Sequence, residues 1–456
     1  MDVKKLISYV PDFEVFCTVA ELDQWSEELA SRYPLDAKRF SIGNSRQGHP
    51  IQCPKIGNGS RSAVCFACPH PNEPIGSLTL MSLAGILLED EESRTAADMT
   101  WYLIPCIDPD GTRLNEAWFK GPFSLESYVR GFYRPPGREQ IEWTFPFTYG
   151  DFVFDEPLPE TRALMRLIEQ VRPALVYSLH NLAFGGAYWY LSKNIQPLCE
   201  LFELEAADAG IPLHLGEPES PYIEKLSPAV HSMMSLHKYF CFLEEKGQLG
   251  NIPPLKSGTC SGDFVDSICD SLVLMTEVPY FVDRRIEDTS LCDLTLTEVR
   301  REKRRRQNKH YEFLSALWSR LEPFFSPDNP FPLLVRDMMQ SHEIQPELAE
   351  PLDSVKLHQP ATVAEKVDGL LLSQIFELLN LGLTIRACNF ELERKQEPHA
   401  TDILESAIAS LNRVLIAESK KLEADTAYEI VPIRQLVQVQ LASVLHAVKF
   451  AHEVKV

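Results

Sequence analysis

Apolar residues recur along this chain with two different periods, and their alternation sets the expected architecture. Over residues 14–33, Val15, Val19, Leu22, Trp25 and Leu29 fall three and four positions apart. That spacing predicts an amphipathic helix, ended by Tyr33-Pro34. The polar turn Ser45-Arg46-Gln47-Gly48-His49-Pro50 then separates two strand-like runs, 40–43 and 51–56. From residue 63 short continuous apolar runs alternate with helical patterns. Strands are expected at 63–68, 100–105, 175–180 and 271–276, and helices at 75–89, 159–169, 193–209 and 227–246. Strands alternating with helices imply an α/β fold with a mixed, mostly parallel twisted sheet and helices on both faces. In such sheets chemistry gathers where strands end and loops begin.

The texture changes after about residue 325. Phe324-Phe325-Ser326-Pro327-Asp328-Asn329-Pro330-Phe331-Pro332 reads as a linker. Downstream, helical patterns run near 363–380, 400–420 and 430–452, with Leu370, Leu371, Ile375, Leu378 and Leu379 forming one apolar stripe. The expected division is an α/β domain over 1–325 and an α-helical C-terminal domain over 326–456. Those helices suit a lid, a binding module, or a homo-oligomer interface.

Composition narrows the function classes. A length of 456 residues exceeds one ordinary domain. The content, 45% hydrophobic and 24% charged, is that of a globular protein of the aqueous phase. A net charge of −21 argues against nonspecific binding to nucleic acid or an anionic membrane surface. No apolar stretch approaches the roughly 20 residues of a membrane span, and Met1-Asp2-Val3-Lys4-Lys5 does not open a signal peptide. Eleven cysteines, an odd number without framework spacing, predict reduced thiols in a cytoplasmic protein. The one dense basic run, Arg300 to His310, is expected to be a solvated helix face paired with carboxylates, because Phe313, Leu317 and Leu321 continue it at helical spacing.

Candidate chemistry lies where apolar runs stop. His70 and Glu73 follow the run 63–67, a spacing that lets two ligands converge on one metal ion; taken alone, the pair is better read as a hydrogen-bonded turn residue and a solvated carboxylate of the first helical turn. His180 closes the run 175–179 and Glu277 the run 272–276. Two histidines and a carboxylate on zinc, with a second carboxylate alongside, make a hydrolytic site. Other candidates read as structure. Cys65 and Cys68 lie three apart on a strand and face opposite sides. His231 and His237 lie six apart on an expected helix, so they do not meet. Asp108-Pro109-Asp110-Gly111 lacks the later ligands of a calcium loop and reads as a turn.

Together these segments resemble the M14 zinc carboxypeptidase family over roughly residues 20–325. Gly43-Asn44-Ser45-Arg46-Gln47-Gly48-His49-Pro50-Ile51 is similar to the family's Gly-x-Ser-x-x-Gly-Arg-Pro-Ile turn, and Pro69-His70-Pro71-Asn72-Glu73-Pro74 to its His-x-x-Glu motif. Cys106-Ile107-Asp108-Pro109-Asp110-Gly111 resembles the Asn-Pro-Asp-Gly loop. Glu156-Pro157-Leu158-Pro159-Glu160-Thr161 follows the Glu-Pro-Glu-Thr helix start, and Ser178-Leu179-His180 the Asp-Leu-His segment. Ser261-Gly262-Asp263-Phe264 precedes Glu277 as Ser-x-Asp-Trp precedes the family's catalytic glutamate.

The resemblance implies one Zn²⁺ per chain held by His70, Glu73 and His180, and Glu277 as general base. It implies an arginine near the developing oxyanion, with Arg113 the candidate and Arg130 its rival. Arg134 matches the arginine of the family's substrate-carboxylate clamp, while Tyr133 stands in place of asparagine. Leu255 replaces the substrate-side tyrosine, and Gly262 at the pocket base is expected to leave that pocket open and uncharged. The departures fall on the substrate side. Carboxypeptidase action on a peptide or peptide-like metabolite is therefore expected first, deacylation of an N-acyl amino acid second, and a noncatalytic binding protein on the same fold third.

Overall fold

A computed structural model describes residues 1–252, 255–344, 358–394 and 397–451. At its centre is a twisted sheet of ten strands among the described residues. Across it run Ala37–Lys38, Lys55–Ile56, Met99–Ile104, Arg61–Ala67, Leu175–Phe184, Leu272–Val282, Tyr188–Leu191, Val230–Ser232 and Lys225–Ser227. The tenth, Glu429–Ile430, pairs with the far end of Leu272–Val282. The four central strands are parallel, and antiparallel strands flank them on both sides. The sheet is mixed, as the alternation of runs predicts.

Each parallel strand buries both of its faces, which explains why the runs are apolar without interruption. Leu175, Tyr177 and Leu179 join one core with the helices Ile75–Glu89, Gln196–Asp208 and Ile433–Ala451. Val176 joins a second core on the opposite face, with the helices Pro159–Val171 and Ser261–Ile268. His180 and Glu277 follow the alternation of this second set, because side chains two apart share a face.

Several boundaries differ from the periodic expectation. The first amphipathic helix spans Val19–Arg32, because the Thr18 and Glu21 side chains form a capping box that fixes its start, and Val15 is exposed. The expected helix at 227–246 begins only at Leu236; the chain before it forms the hairpin 225–227/230–232. Tyr188–Leu191, a strand the pattern did not reveal, is edged between two neighbours. Near the C-terminus, Val363–Val367 and Gln374–Leu392 flank a π-helical turn at Asp368–Leu372. The expected helix at 430–452 spans Ile433–Ala451, and residue 452 lies outside the described residues.

The helices after residue 325 share their core with the sheet. Helix Ile433–Ala451 lies on the strands carrying His180 and Glu277, and Leu436, Val437, Val444 and Leu445 are buried in the same cluster as Leu179. Its Gln440 accepts from Thr79 Oγ1 at 2.7 Å and donates to the His180 carbonyl at 2.7 Å. A division at residue 325 therefore passes through one continuous apolar core. The segment 363–392 has the length and hydropathy to cross a membrane, contrary to the sequence expectation, yet 72% of its most apolar window is buried inside the protein. The basic run lies on helix Leu296–Leu321, where Arg305 and Arg306 pair with Glu302, and Arg300 with Glu217.

Candidate metal centre and active site

The strand Arg61–Ala67 stops before its neighbour Leu175–Phe184. Its pairing with Leu175–Phe184 ends at Ala67 opposite Leu179. Cys68 then takes a left-handed backbone conformation at φ 55°, strained for a residue with a Cβ, and turns the chain across the sheet edge. The turn closes with Glu73 N donating to the His70 carbonyl at 3.1 Å, and Pro74 begins the next helix. Gly76 in that helix allows the close approach: a Cβ there would stand 2.6 Å from the Leu179 Cβ. His70 and Glu73 are thereby held over the notch left by the short strand.

His180 and Glu277 face this notch from within longer strands. They are register partners across the parallel ladder between Leu175–Phe184 and Leu272–Val282. Neither ends its strand, contrary to the sequence reading. Both strands then return to apolar residues, after Asn181 in the first and directly after Glu277 in the second.

Three side chains converge here. His70 Nδ1 lies 3.0 Å from Glu73 Oε1, His180 Nδ1 lies 3.0 Å from Glu73 Oε2, and the two Nδ1 atoms are 3.3 Å apart. Ligand nitrogens on one tetrahedral zinc, each about 2.0–2.1 Å from it, stand about 3.3–3.4 Å apart, so the donor set fits that metal. The three residues are buried, and their donor atoms lie within 4.8 Å of one another. Burial, and next Arg134, hold His70 down to about 3, keeping its imidazole neutral as a ligand must be. Burial pushes the Glu73 carboxyl upward, but His70 and His180 more than offset it and keep it ionised.

Behind His180 stands a hydrogen-bonded support. Its Nε2 meets Ser178 Oγ at 2.7 Å, and Ser178 Oγ donates to Glu142 Oε2 at 3.4 Å. Glu142 is fully buried and accepts from the Ser261 amide and hydroxyl at 2.9 and 2.7 Å. With Nε2 tied in this way, Nδ1 is the free donor facing the metal position. Periodicity gave no sign of Glu142, because it lies in a short irregular segment; Ser178 was visible only as a departure from aspartate.

Glu277 Oε1 lies 3.9 Å from His180 Nδ1. Burial raises its carboxyl well above the ordinary range, helped by Glu73 and Glu219 and opposed by Arg134. Glu219 enters from the segment after helix Gln196–Asp208, where its Oε1 accepts from the Tyr188 hydroxyl at 2.5 Å. Tyr188 is the register partner of Glu277 on the antiparallel side.

The arginines divide. Arg134 donates to Glu73 Oε1 at 3.2 Å and to Gln140 Oε1 at 3.4 Å, which places its guanidinium at the cluster. Arg113 is directed elsewhere, to His49 Nδ1 at 2.8 Å, and Arg130 binds Glu126 and Asn412. Of the three arginines, Arg134 is the one whose described hydrogen bonds reach the cluster, and those of Arg113 and Arg130 do not. Tyr133, next to it, turns the other way and packs edge-on against Phe331 with ring centroids 5.8 Å apart. Pro135 explains the contrast: it holds Arg134 extended, so neighbouring side chains point to opposite sides. The pocket over Gly262 is not open, since the Met233 side chain comes within 2.8 Å of where a Cβ would stand.

With this geometry in place, comparison with known proteins is informative. Residues 22–194 match the family model described as zinc carboxypeptidase. A curated relative, zinc carboxypeptidase A 1 of Anopheles gambiae, is 26% identical over 183 residues. That match takes in 36% of this chain, and the chain spans 41% of the relative's length. Among solved structures, carboxypeptidase A of Helicoverpa armigera aligns at 13% identity over 61% of this chain and 70% of its own, with a TM-score of 0.40. A metallo-carboxypeptidase of Burkholderia cenocepacia aligns at 13% identity over 60% and 61%, with a TM-score of 0.37. The carboxypeptidase-family match contains His70, Glu73 and His180 and ends before Glu277, whose place beside them comes from strand register.

Proposed function

We propose that this chain is a zinc-dependent hydrolase that removes a C-terminal residue from a peptide or peptide-like molecule. The observation that carries this reading is the convergence of His70, Glu73 and His180 with Glu277 in register beside them. A zinc ion held by the three ligands supplies Lewis acidity to the scissile carbonyl and lowers the pKa of water. Glu277 takes the proton of the attacking water and delivers it to the leaving amine, a role suited to a carboxyl raised above its ordinary range. Arg134 offers a guanidinium that a terminal carboxylate or a developing oxyanion would accept. Glu142 and Ser178 keep His180 aimed.

A second reading is favoured by one observation. With Tyr133 turned to Phe331, the carboxylate clamp is reduced to a single arginine, which suits a small N-acyl amino acid as well as a peptide. An N-acylated dipeptide and its C-terminal amide separate the two. The peptidase reading expects hydrolysis of the free acid only, and its loss in Glu277→Gln; equal hydrolysis of the amide would remove it. The eleven cysteines are all unpaired, which supports a cytoplasmic setting.

A further inference from the structure

Arg134 reaches Glu73 from the end of a short helix, Leu125–Gly131, and the backbone that follows it. That segment is held from outside the family match by the C-terminal helices, at three places. Gly382, on Gln374–Leu392, meets Val129 so closely that a Cβ would stand 2.2 Å from the Val129 carbonyl oxygen. Arg130 Nη1 donates to Asn412 Oδ1, on Pro398–Asp425, at 2.8 Å. Arg386 donates to the carbonyls of Gly131 and Phe132, the latter at 3.0 Å, and to that of Leu114 at 2.8 Å.

The Arg386 contact is the strongest of the three. Its guanidinium stacks 4.2 Å over the Phe331 ring, the same ring that receives Tyr133 edge-on. Asn115 closes the other side, donating to the Tyr133 carbonyl and accepting from its amide, each at 2.9 Å. Residues 131–133 thus have consecutive backbone groups fixed by side chains from elsewhere, and Pro135 limits the residue after them. A planar guanidinium with three hydrogen bonds to three carbonyls is a rigid tie that an ammonium would reproduce only in part.

We propose that Arg386, supported by Asn412 and Gly382, is a positioning residue that aims Arg134 at the substrate, so that the C-terminal helices set substrate affinity. The inference rests on the reading of Arg134 as a substrate-binding group. It differs from a lid or an oligomer interface, because the helices act through the backbone of 131–134. Arg386 itself touches neither Glu277 nor the metal ligands, so its effect reaches the site only through Arg134 and, with Arg134 as the carboxylate-binding group, falls on binding.

The test uses zinc-loaded full-length protein carrying Arg386→Ala, Arg386→Lys or Asn412→Ala, with thermal melting to confirm folding. An N-acylated dipeptide serves as substrate, and N-acetyl-phenylalanine and its amide as ligands in calorimetry. For Arg386→Ala the expected result is a KM raised about tenfold or more. kcat should stay within about threefold, with partial recovery in Arg386→Lys and a smaller rise in Asn412→Ala. The preference for the free acid over the amide should shrink in parallel. Hydrogen exchange at residues 131–134 should quicken in Arg386→Ala while exchange at 175–180 is unchanged. An unchanged KM, or kcat and zinc content falling together, would overturn the proposal. If the parent hydrolyses nothing, the peptidase reading fails separately. The positioning claim then stands or falls on the calorimetric preference and on exchange at 131–134.

Discussion

At the residue scale, the site is a small set of buried groups whose charges act on one another. Glu277 shows this best. Burial raises its carboxyl, and Glu73 and Glu219 add to the rise. Replacing Glu219 by glutamine removes one negative neighbour and lowers the Glu277 pKa. Glu277 must be deprotonated to accept a proton, so the acidic limb of kcat/KM should move to lower pH in Glu219→Gln, as a pH–rate profile would show; an unmoved limb would disconnect the two carboxylates. Ser178→Ala breaks the support behind His180 and should weaken zinc about 10–100-fold in competition with a chelator. His70, Glu73, His180 and Glu277 were legible because His70 and Glu73 follow an apolar run and His180 and Glu277 each interrupt one. Arg134 was legible only through its likeness to a carboxylate-clamp arginine, while Arg113, with Arg130 its rival, was the arginine expected near the oxyanion. What separates them is side-chain direction, which depends on Asn412, His49 and Glu73 at sequence distances no local pattern reports.

At the scale of elements, the site exists because strands of unequal length lie side by side. Arg61–Ala67 ends early, and Leu175–Phe184 and Leu272–Val282 carry His180 and Glu277 past that end. Apolar runs showed that these strands exist but not how far they extend, since one polar residue in a strand looks the same as its terminus. The helix Ile75–Glu89 is apolar almost all round, which fits its burial between the sheet and Ile433–Ala451. Its seat depends on Gly76. Gly76→Ala forces a methyl to within 2.6 Å of the Leu179 Cβ and 2.9 Å of the Ala67 Cβ, and should destabilise by about 1–3 kcal/mol. Chemical denaturation would register this as a lower midpoint with an unchanged slope.

Across the whole molecule, the α/β character was legible from alternating periods, whereas the union of the two halves was not. Helix Ile433–Ala451 reads in sequence as one more amphipathic helix; only in three dimensions does it lie on the sheet and bind the His180 carbonyl. Ending the chain near residue 325 would expose that face, so the truncated protein should lack a cooperative thermal transition; a cooperative transition with zinc retained would contradict the shared core. Acid should weaken the fold as well. Burial, with His342 second, holds His310 down to about 4, so from pH 6.5 to 4 the unfolded chain binds a proton that the native one refuses. Stability then rises with pH across that window, by about 3 kcal/mol for this group, and His310→Phe should flatten the dependence. The proposed chemistry depends on the metal. Zinc content after exhaustive dialysis, measured on the full chain and on His180→Ala, should show one ion per chain in the first and none in the second. Absence of zinc from the parent, or its undiminished retention in His180→Ala, would contradict the site proposed for this protein.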